Sequence, residues 1–261
     1  MDVKILVAAH KLYNMPTDPM YLPLHVGREG KDPLPYQPDN TGENISGKNP
    51  RFCELTGLYW GWKNLTCDYI GLVHYRRHFT VRSDRYRRQH TPMECVLTER
   101  ELRVLIPKYE VIVPRKRNYY IETLYSHYAH THYAEHLDIT REIIAERCPE
   151  YLPAFDRVMK QTSGYMFNMF IMEKSMADRY CSWLFDILFE LENRVDDSAY
   201  TVFQARFYGR ISEIIFNVWL EKERPYRKEI GYLPMEKENW LKKGRAFLRA
   251  KFWNEKYTGS F

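Results

Sequence analysis

Three short clusters hold the residues best suited to chemistry. His10-Lys11 follows the apolar run 3–9, His74-Tyr75-Arg76-Arg77 follows the run 69–73, and Pro114-Arg115-Lys116-Arg117 follows 110–113. Arginine grips phosphate with two parallel donors and lysine adds a point charge, so cations gathered at neighbouring strand ends describe a diphosphate or nucleotide site. Arg76, Arg77, Arg82, Arg85, Arg87 and Arg88 are opposed within their run by Asp84 alone, so part of the run is expected to face an anion. Each pair read singly is equally a solvated charge at a strand end; the three together favour a ligand site.

A second cluster is rich in imidazole: His127, His130, His132 and His136, with Glu135 beside the last. His132 and His136 are four apart and share a helical face, but the glutamate does not directly follow the first histidine as in HExxH. A polar or substrate-facing patch is expected, with no metal site. P-loop, GxGxxG and GxSxG patterns are absent from the sequence, which removes the common NTPase, dehydrogenase and hydrolase readings.

The elements that must carry these clusters read as an α/β domain. Residues 3–9, 69–73 and 110–113 are short runs of the buried-strand type. Between them a helix is expected from Asn49-Pro50 to Lys63, with Phe52, Leu55, Tyr59 and Trp62 at helical spacing, and another after the capping box Thr98/Glu101. Six prolines between residues 12 and 49 predict a long ordered loop. Residues 121–160 predict two or three helices with breaks near Asp138, Pro149 and Pro153. Residues 165–172 predict another inner strand. Residues 174–192 predict a long amphipathic helix on the stripe Met176, Tyr180, Trp183, Leu184, Ile187, Leu188 and Leu191, and a further helical region ends at Glu223.

The chain has 261 residues, a net charge of +5, 15% aromatics and 28% charged residues. Those values exclude disorder, collagen and coiled coil, and the charge is too small for a dedicated polyanion binder. The first residues do not resemble a signal peptide and no run is long enough to span a membrane. Five cysteines with no CxxC pair argue against a disulfide framework or zinc ribbon, so a reducing cytoplasm is the expected setting. One domain over 1–235 and a basic amphipathic segment over 236–261 are expected. From Trp240 to Phe261 six cations face one acid, the whole of the net excess. Aromatic and aliphatic residues interleave with them, so 240–256 reads as a helix on an anionic membrane surface, which would make the protein peripheral on the inner face of the plasma membrane.

Asp39 to Ser46 (DNTGENIS), Asn49, Cys53 to Asn64 (CELTGLYWGWKN), Tyr69 to Arg77 (YIGLVHYRR) and Gly164 to Met172 (GYMFNMFIM) resemble a bacterial glycosyltransferase family of capsular and exopolysaccharide loci, long catalogued as a domain of unknown function. The resemblance runs from the first strand to about Leu220. It implies a GT-A-like, Rossmann-like mixed sheet flanked by helices, with a helical C-terminal extension. The activity implied is transfer of a sugar from a nucleotide diphospho-sugar, a UDP-hexose of galactose type being favoured, to an oligosaccharide or polyprenyl-diphosphate-linked acceptor in capsule, exopolysaccharide or O-antigen synthesis.

The usual DxD metal motif is missing: Asp68 precedes its strand, and the strand runs into His74-Tyr75-Arg76-Arg77. No cofactor beyond the nucleotide sugar is expected, with Arg76, Arg77 and Lys11 in place of a divalent metal. Strand-end position places His10 and Lys11 at the nucleotide, and the resemblance adds Asp39, Asn44 and Lys63 to the donor side; His74, Tyr75, Arg76 and Arg77 are expected there too, with Asn168, Tyr165 and His132 on the acceptor side. The proton acceptor is expected to be Asp196, with Asp197 and Glu213 next; either aspartate could equally cap the following helix. Competing readings are a carbohydrate-binding module without catalysis and a single-stranded nucleic-acid binder; strand-end charges and the resemblance favour the enzyme, with no nucleic-acid partner.

Overall fold

A computed structural model describes residues 1–236, which form two compact units. The basic segment from Trp240 lies outside the described residues. The first unit comprises residues 1–115, 167–181 and 225–236. Its strands are β1 (Val3–Ala9), β2 (Tyr21–His25), β3 (Gln37–Pro38), β4 (Tyr69–His74), β5 (Arg77–Thr80), β6 (Val111–Pro114), β9 (Phe170–Glu173) and β10 (Arg227–Pro234). Its helices are α1 (Asn49–Phe52), α2 (Leu55–Asn64), α3 (Asp84–Arg87) and α4 (Glu99–Leu105). The sheet order is β3-β2-β1-β4-β5-β10-β6-β9, and β9 also pairs with β4. β1, β2 and β4 are mutually parallel, and β9 runs antiparallel to both β4 and β6, so β6 and its parallel partner β10 point the same way as β4. This is the mixed, helix-flanked α/β sheet that the sequence led us to expect.

Proline explains why the expected loop conceals β2. Met20 O and Val26 N bond to β1, and the alternation of the ladder turns Pro23 toward the other edge, where β3 covers only Leu24 and His25. A missing N–H costs nothing there. The expected helix from Asn49 to Lys63 is instead two, split at Cys53, whose φ is +53°. Asn49 Nδ2 donates to Cys53 O (2.8 Å) and Thr56 Oγ1 (3.2 Å), holding the corner. α2 then lies close on the sheet: a Cβ on Gly57 would sit 2.7 Å from Leu24 and Val26, one on Gly61 2.5 Å from Leu6. On the opposite face Ile5, Val7, Val73, Phe79, Leu102, Ile112 and Ile171 build the core.

The second described unit comprises residues 116–166 and 182–224. β7 (Arg117–Asn118) pairs antiparallel with β8 (Ser163–Gly164). Its helices are α5 (Leu124–Thr131), α6 (Glu135–Arg147), α7 (Leu152–Met159) and α9 (Phe207–Glu223); α8 (Lys174–Arg194) begins in the first unit and continues in this one. The first break falls at His132 rather than near Asp138, because α5 ends there and Asp138 lies inside α6. α9 is apolar on nearly every side, with Phe207, Ile211, Ile215, Val218 and Trp219 buried, which is how a helix at the centre of a helical layer reads.

Candidate functional site

Because six strands of the first unit, β1, β2, β3, β4, β6 and β10, run parallel, their carboxyl ends share one edge, the place where open α/β sheets bind ligands. The pairs Ala8↔His74 and Ala9↔His25 set the register, and Tyr75 N donates to Ala8 O (3.1 Å). His10, Lys11, His74, Tyr75, Arg76 and Arg77 therefore stand together on this rim. Tyr75 is buried and stacks on Tyr13 at 4.0 Å between centroids, with the His10 ring edge-on at 5.3 Å. Burial, reinforced by Tyr13, pushes the Tyr75 hydroxyl up to about 12, so it remains a neutral donor at physiological pH. The Arg76 guanidinium lies 5.3 Å from the Tyr75 ring and that of Arg77 4.3 Å from Phe167. Lys11 Nζ lies 5.1 Å from the Tyr13 ring. The ring faces of Tyr13 and Tyr75 hold Lys11 and Arg76 by their stems and quadrupoles without neutralising them.

The rest of the arginine run is elsewhere. β5 carries the chain away from the rim, Arg82 pairs with Glu101 (2.9 Å) and Arg87 with Asp84 (3.4 Å).

β9 begins at the rim, since it runs antiparallel to β4. The two residues that lead toward it, Phe167 (φ +77°) and Asn168 (φ +51°), both adopt left-handed backbone. The expected strand 165–172 is thus a turn followed by the shorter β9. Left-handed backbone crowds a Cβ, and no apolar alternation announces it. Asn168 is buried, and its amide donates to Glu54 Oε1 at 2.8 Å. Tyr13, Glu54 and Phe167 were missed by the residue-level reading. Glu54 and Phe167 lay inside the quoted motifs, and Tyr13 two positions after Lys11.

Asp39 follows β3 at the same edge but is fully buried. Its carboxylate accepts from Gly27 N (2.7 Å), Arg28 N (3.0 Å), Ser46 Oγ (2.5 Å) and Thr56 Oγ1 (2.7 Å), tying the turn after β2 to the start of α2. Asn44 closes a local turn through Gly42 O and Ser46 N. Lys63 is at the far end of α2, where it meets Glu43 at 3.1 Å. Asp68 accepts from Asp2 N at the amino edge of the sheet. Of the nine donor-side residues, the structure gathers six on the rim and places Asp39, Asn44 and Lys63 in packing or capping roles.

The second unit holds the other expected residues. Glu122 is buried and accepts from His127 Nδ1 (2.8 Å) and His130 Nδ1 (2.5 Å). Burial works to raise its carboxyl, yet the two imidazoles outweigh it and leave it below the ordinary value. Burial lowers His127. His132 is buried, donates to Gln204 Oε1 (2.8 Å), and is driven down to about 3 by desolvation and by Arg210. Tyr165 exchanges two hydrogen bonds with the Asn217 amide. Asp196 is exposed and caps Ser198 N (3.0 Å). Asp197 is buried, and Glu213 lies 3.2 Å from Arg210. Among the described residues no group of three His, Cys, Asp or Glu side chains is arranged to hold a metal ion, and no helix is long and apolar enough to cross a membrane.

Comparison with known proteins follows the same pattern. Residues 4–224 match a family model described as a domain of unknown function, DUF4422. No curated protein matches. A solved structure, the apo form of the bifunctional glycosyltransferase WbbM, superposes with a TM-score of 0.82 at 28% identity, over 92% of this chain and 46% of that one. The chain therefore spans about half the length of the solved protein it matches.

Proposed function

Since this chain belongs to the DUF4422 family, we propose that it is a glycosyltransferase, taking a hexose from a nucleotide diphospho-sugar and delivering it to a saccharide acceptor. The observation that carries this reading is the rim, where Lys11, Arg76 and Arg77 stand at the carboxyl ends of parallel strands. WbbM is named as bifunctional and is twice as long, so one transfer reaction is proposed here.

The rim would hold the diphosphate. As the glycosidic bond to the donor breaks, negative charge builds on the leaving oxygen, and fixed cations in a partly dry site stabilise it without reorganising. Neither Lys11 nor Arg76 forms an ion pair among the described residues, so their charge remains available to a ligand. Tyr75, protonated because its hydroxyl is pushed to about 12, adds a neutral donor. Charge compensation by these residues in place of a divalent metal belongs to the proposal. The acceptor hydroxyl passes its proton to a carboxylate, for which Asp196 is the first choice as the exposed member of its pair, ahead of Asp197 and Glu213. A galactose-type UDP-hexose as donor, a polyprenyl-diphosphate-linked acceptor of capsule, exopolysaccharide or O-antigen type, and cytoplasmic docking on an anionic membrane through 240–256 rest on the sequence reading.

Thermal-shift titration with UDP, GDP, CMP and dTDP sugars, with and without Mn2+ or Mg2+, tests the reading. One nucleotide sugar should raise Tm in a concentration-dependent way. A protein indifferent to all of them would end the enzyme reading, and turnover lost with EDTA and regained only with a divalent metal would end its metal-free form.

A further inference from the structure

Asp39 apart, whose carboxylate is taken up by protein donors, the residues that follow β1 and β4 on the rim are cationic or aromatic, which suits a diphosphate. A hexose makes a different demand: its hydroxyls must donate, and lysine and arginine accept nothing. We propose that Glu54, held in place by Asn168, is the carboxylate that receives the hydroxyls of the transferred sugar and so selects the hexose. This rests on the donor site proposed above and adds a residue to it.

Two independent features support the assignment. Asn168 Nδ2 donates to Glu54 Oε1 at 2.8 Å, and Oε2 has no donor among the described residues, so the carboxylate is oriented by one oxygen and offers the other. The second feature is backbone. Phe167 and Asn168 are consecutive non-glycine residues at φ +77° and +51°, a conformation a phenylalanine resists. Strain of this kind persists where the surroundings enforce it, and it clusters at ligand sites. Here it does two things at once: it lays the Phe167 ring against the Arg77 guanidinium (4.3 Å) and turns the Asn168 amide onto Glu54. One turn thus couples a cation to an acceptor at the edge where β9 begins.

Glu54 is also placed firmly from its own side. It caps α2, its carbonyl accepting from Gly57 N and Leu58 N, and α2 is pinned to the sheet by its two glycines. The carboxylate is therefore fixed by a helix and a strand end rather than by a loose surface rotamer.

The test separates sugar from diphosphate. Wild type, Glu54→Gln and Asn168→Gly are titrated calorimetrically with UDP-galactose and with UDP, or with the nucleotide pair that the thermal-shift series selects. Glu54→Gln removes the charge while keeping an acceptor for the Asn168 amide, and Asn168→Gly removes the amide while favouring the left-handed φ. Loss of a charge-assisted hydrogen bond predicts a roughly ten- to hundred-fold weaker nucleotide sugar in both variants, with the affinity for the bare nucleotide unchanged. Equal weakening of both ligands, or of neither, would overturn the assignment while leaving the transferase reading intact. A wild type that binds neither ligand removes both.

Discussion

The rim of the first unit and the histidine-rich cluster of the second are both dense in ionisable side chains, and they dispose of them in opposite ways. In the second unit each group is turned inward on a partner: Glu122 takes His127 and His130, His132 takes Gln204, and Arg210 takes Glu213. On the rim Arg76 is propped on Tyr75 and Lys11 on Tyr13, neither with an ion pair among the described residues, while Arg77 lies against Phe167. Ion pairing consumes a charge, whereas a ring face orients it and leaves it to act on a ligand. Density of titratable residues is therefore a poor guide to a site, and the nature of their partners a better one.

The largest effect that bears on this contrast is expected from removing rim charge. Replacing Arg76 and Arg77 together by alanine should lower kcat/KM by about a hundred-fold or more, measured under the conditions in which the wild type turns over. His130→Gln, in the inward-facing cluster, should leave donor affinity unchanged. If the histidine variant lost as much as the arginine pair, the contrast would collapse.

Asp39 probes the boundary between the two behaviours, because it sits at the rim yet is spent on protein donors. Asp39→Ala leaves two backbone amides and two hydroxyls without their acceptor, which should cost about 3 kcal/mol or more in urea unfolding. A variant of normal stability that binds donor weakly would return Asp39 to the ligand.

Acid should weaken the fold from inside. His132 is lowered to about 3 and His78, in the first unit, to about 4, both chiefly by burial. The unfolded chain binds protons near the ordinary value of 6.5 while the folded chain does not, so stability is full above that value. It falls as pH drops, until the folded values are reached. At pH 5 the loss is about 2 kcal/mol per histidine. Glu122 adds a loss of the same sign only below its ordinary value of 4.5, where its depressed carboxyl begins to differ from the unfolded chain. Urea midpoints from pH 7.5 to pH 5 should show this slope, and His132→Gln should flatten it; an unchanged slope would mean that the His132 site admits a proton.

The smallest effect belongs to Lys63, whose partner Glu43 is exposed. Lys63→Ala should change stability by less than about 1 kcal/mol and leave nucleotide-sugar affinity as it was; a large loss of affinity would put the far end of α2 back into the site.

Much of the frame was legible because it is local. β1, β4 and α8 announce themselves by apolar runs and stripes whose meaning needs no distant partner, and the Thr98/Glu101 capping box is present as read. β2, β5 and β10 were not legible. β10 exists because Arg227 to Ile230 pair with Val111 to Pro114 and because Gly231 to Pro234 pair with Arg77 to Thr80, more than a hundred residues away in the chain.

The same division runs through the site. Strand-end residue types predicted that His10, Lys11, His74, Tyr75, Arg76 and Arg77 would share one edge with Arg115, Lys116 and Arg117, because parallel strands leave their successors on one edge; the first six meet there, whereas from Lys116 the chain belongs to the second unit. Only the tertiary structure decided what each group does there. The burial that consumes Asp39, the left-handed turn that hands Glu54 to Asn168, and the pairing that silences Arg82 and Arg87 all depend on atoms brought from elsewhere in the chain. Spacing along a sequence records which way a side chain faces, not what it will meet.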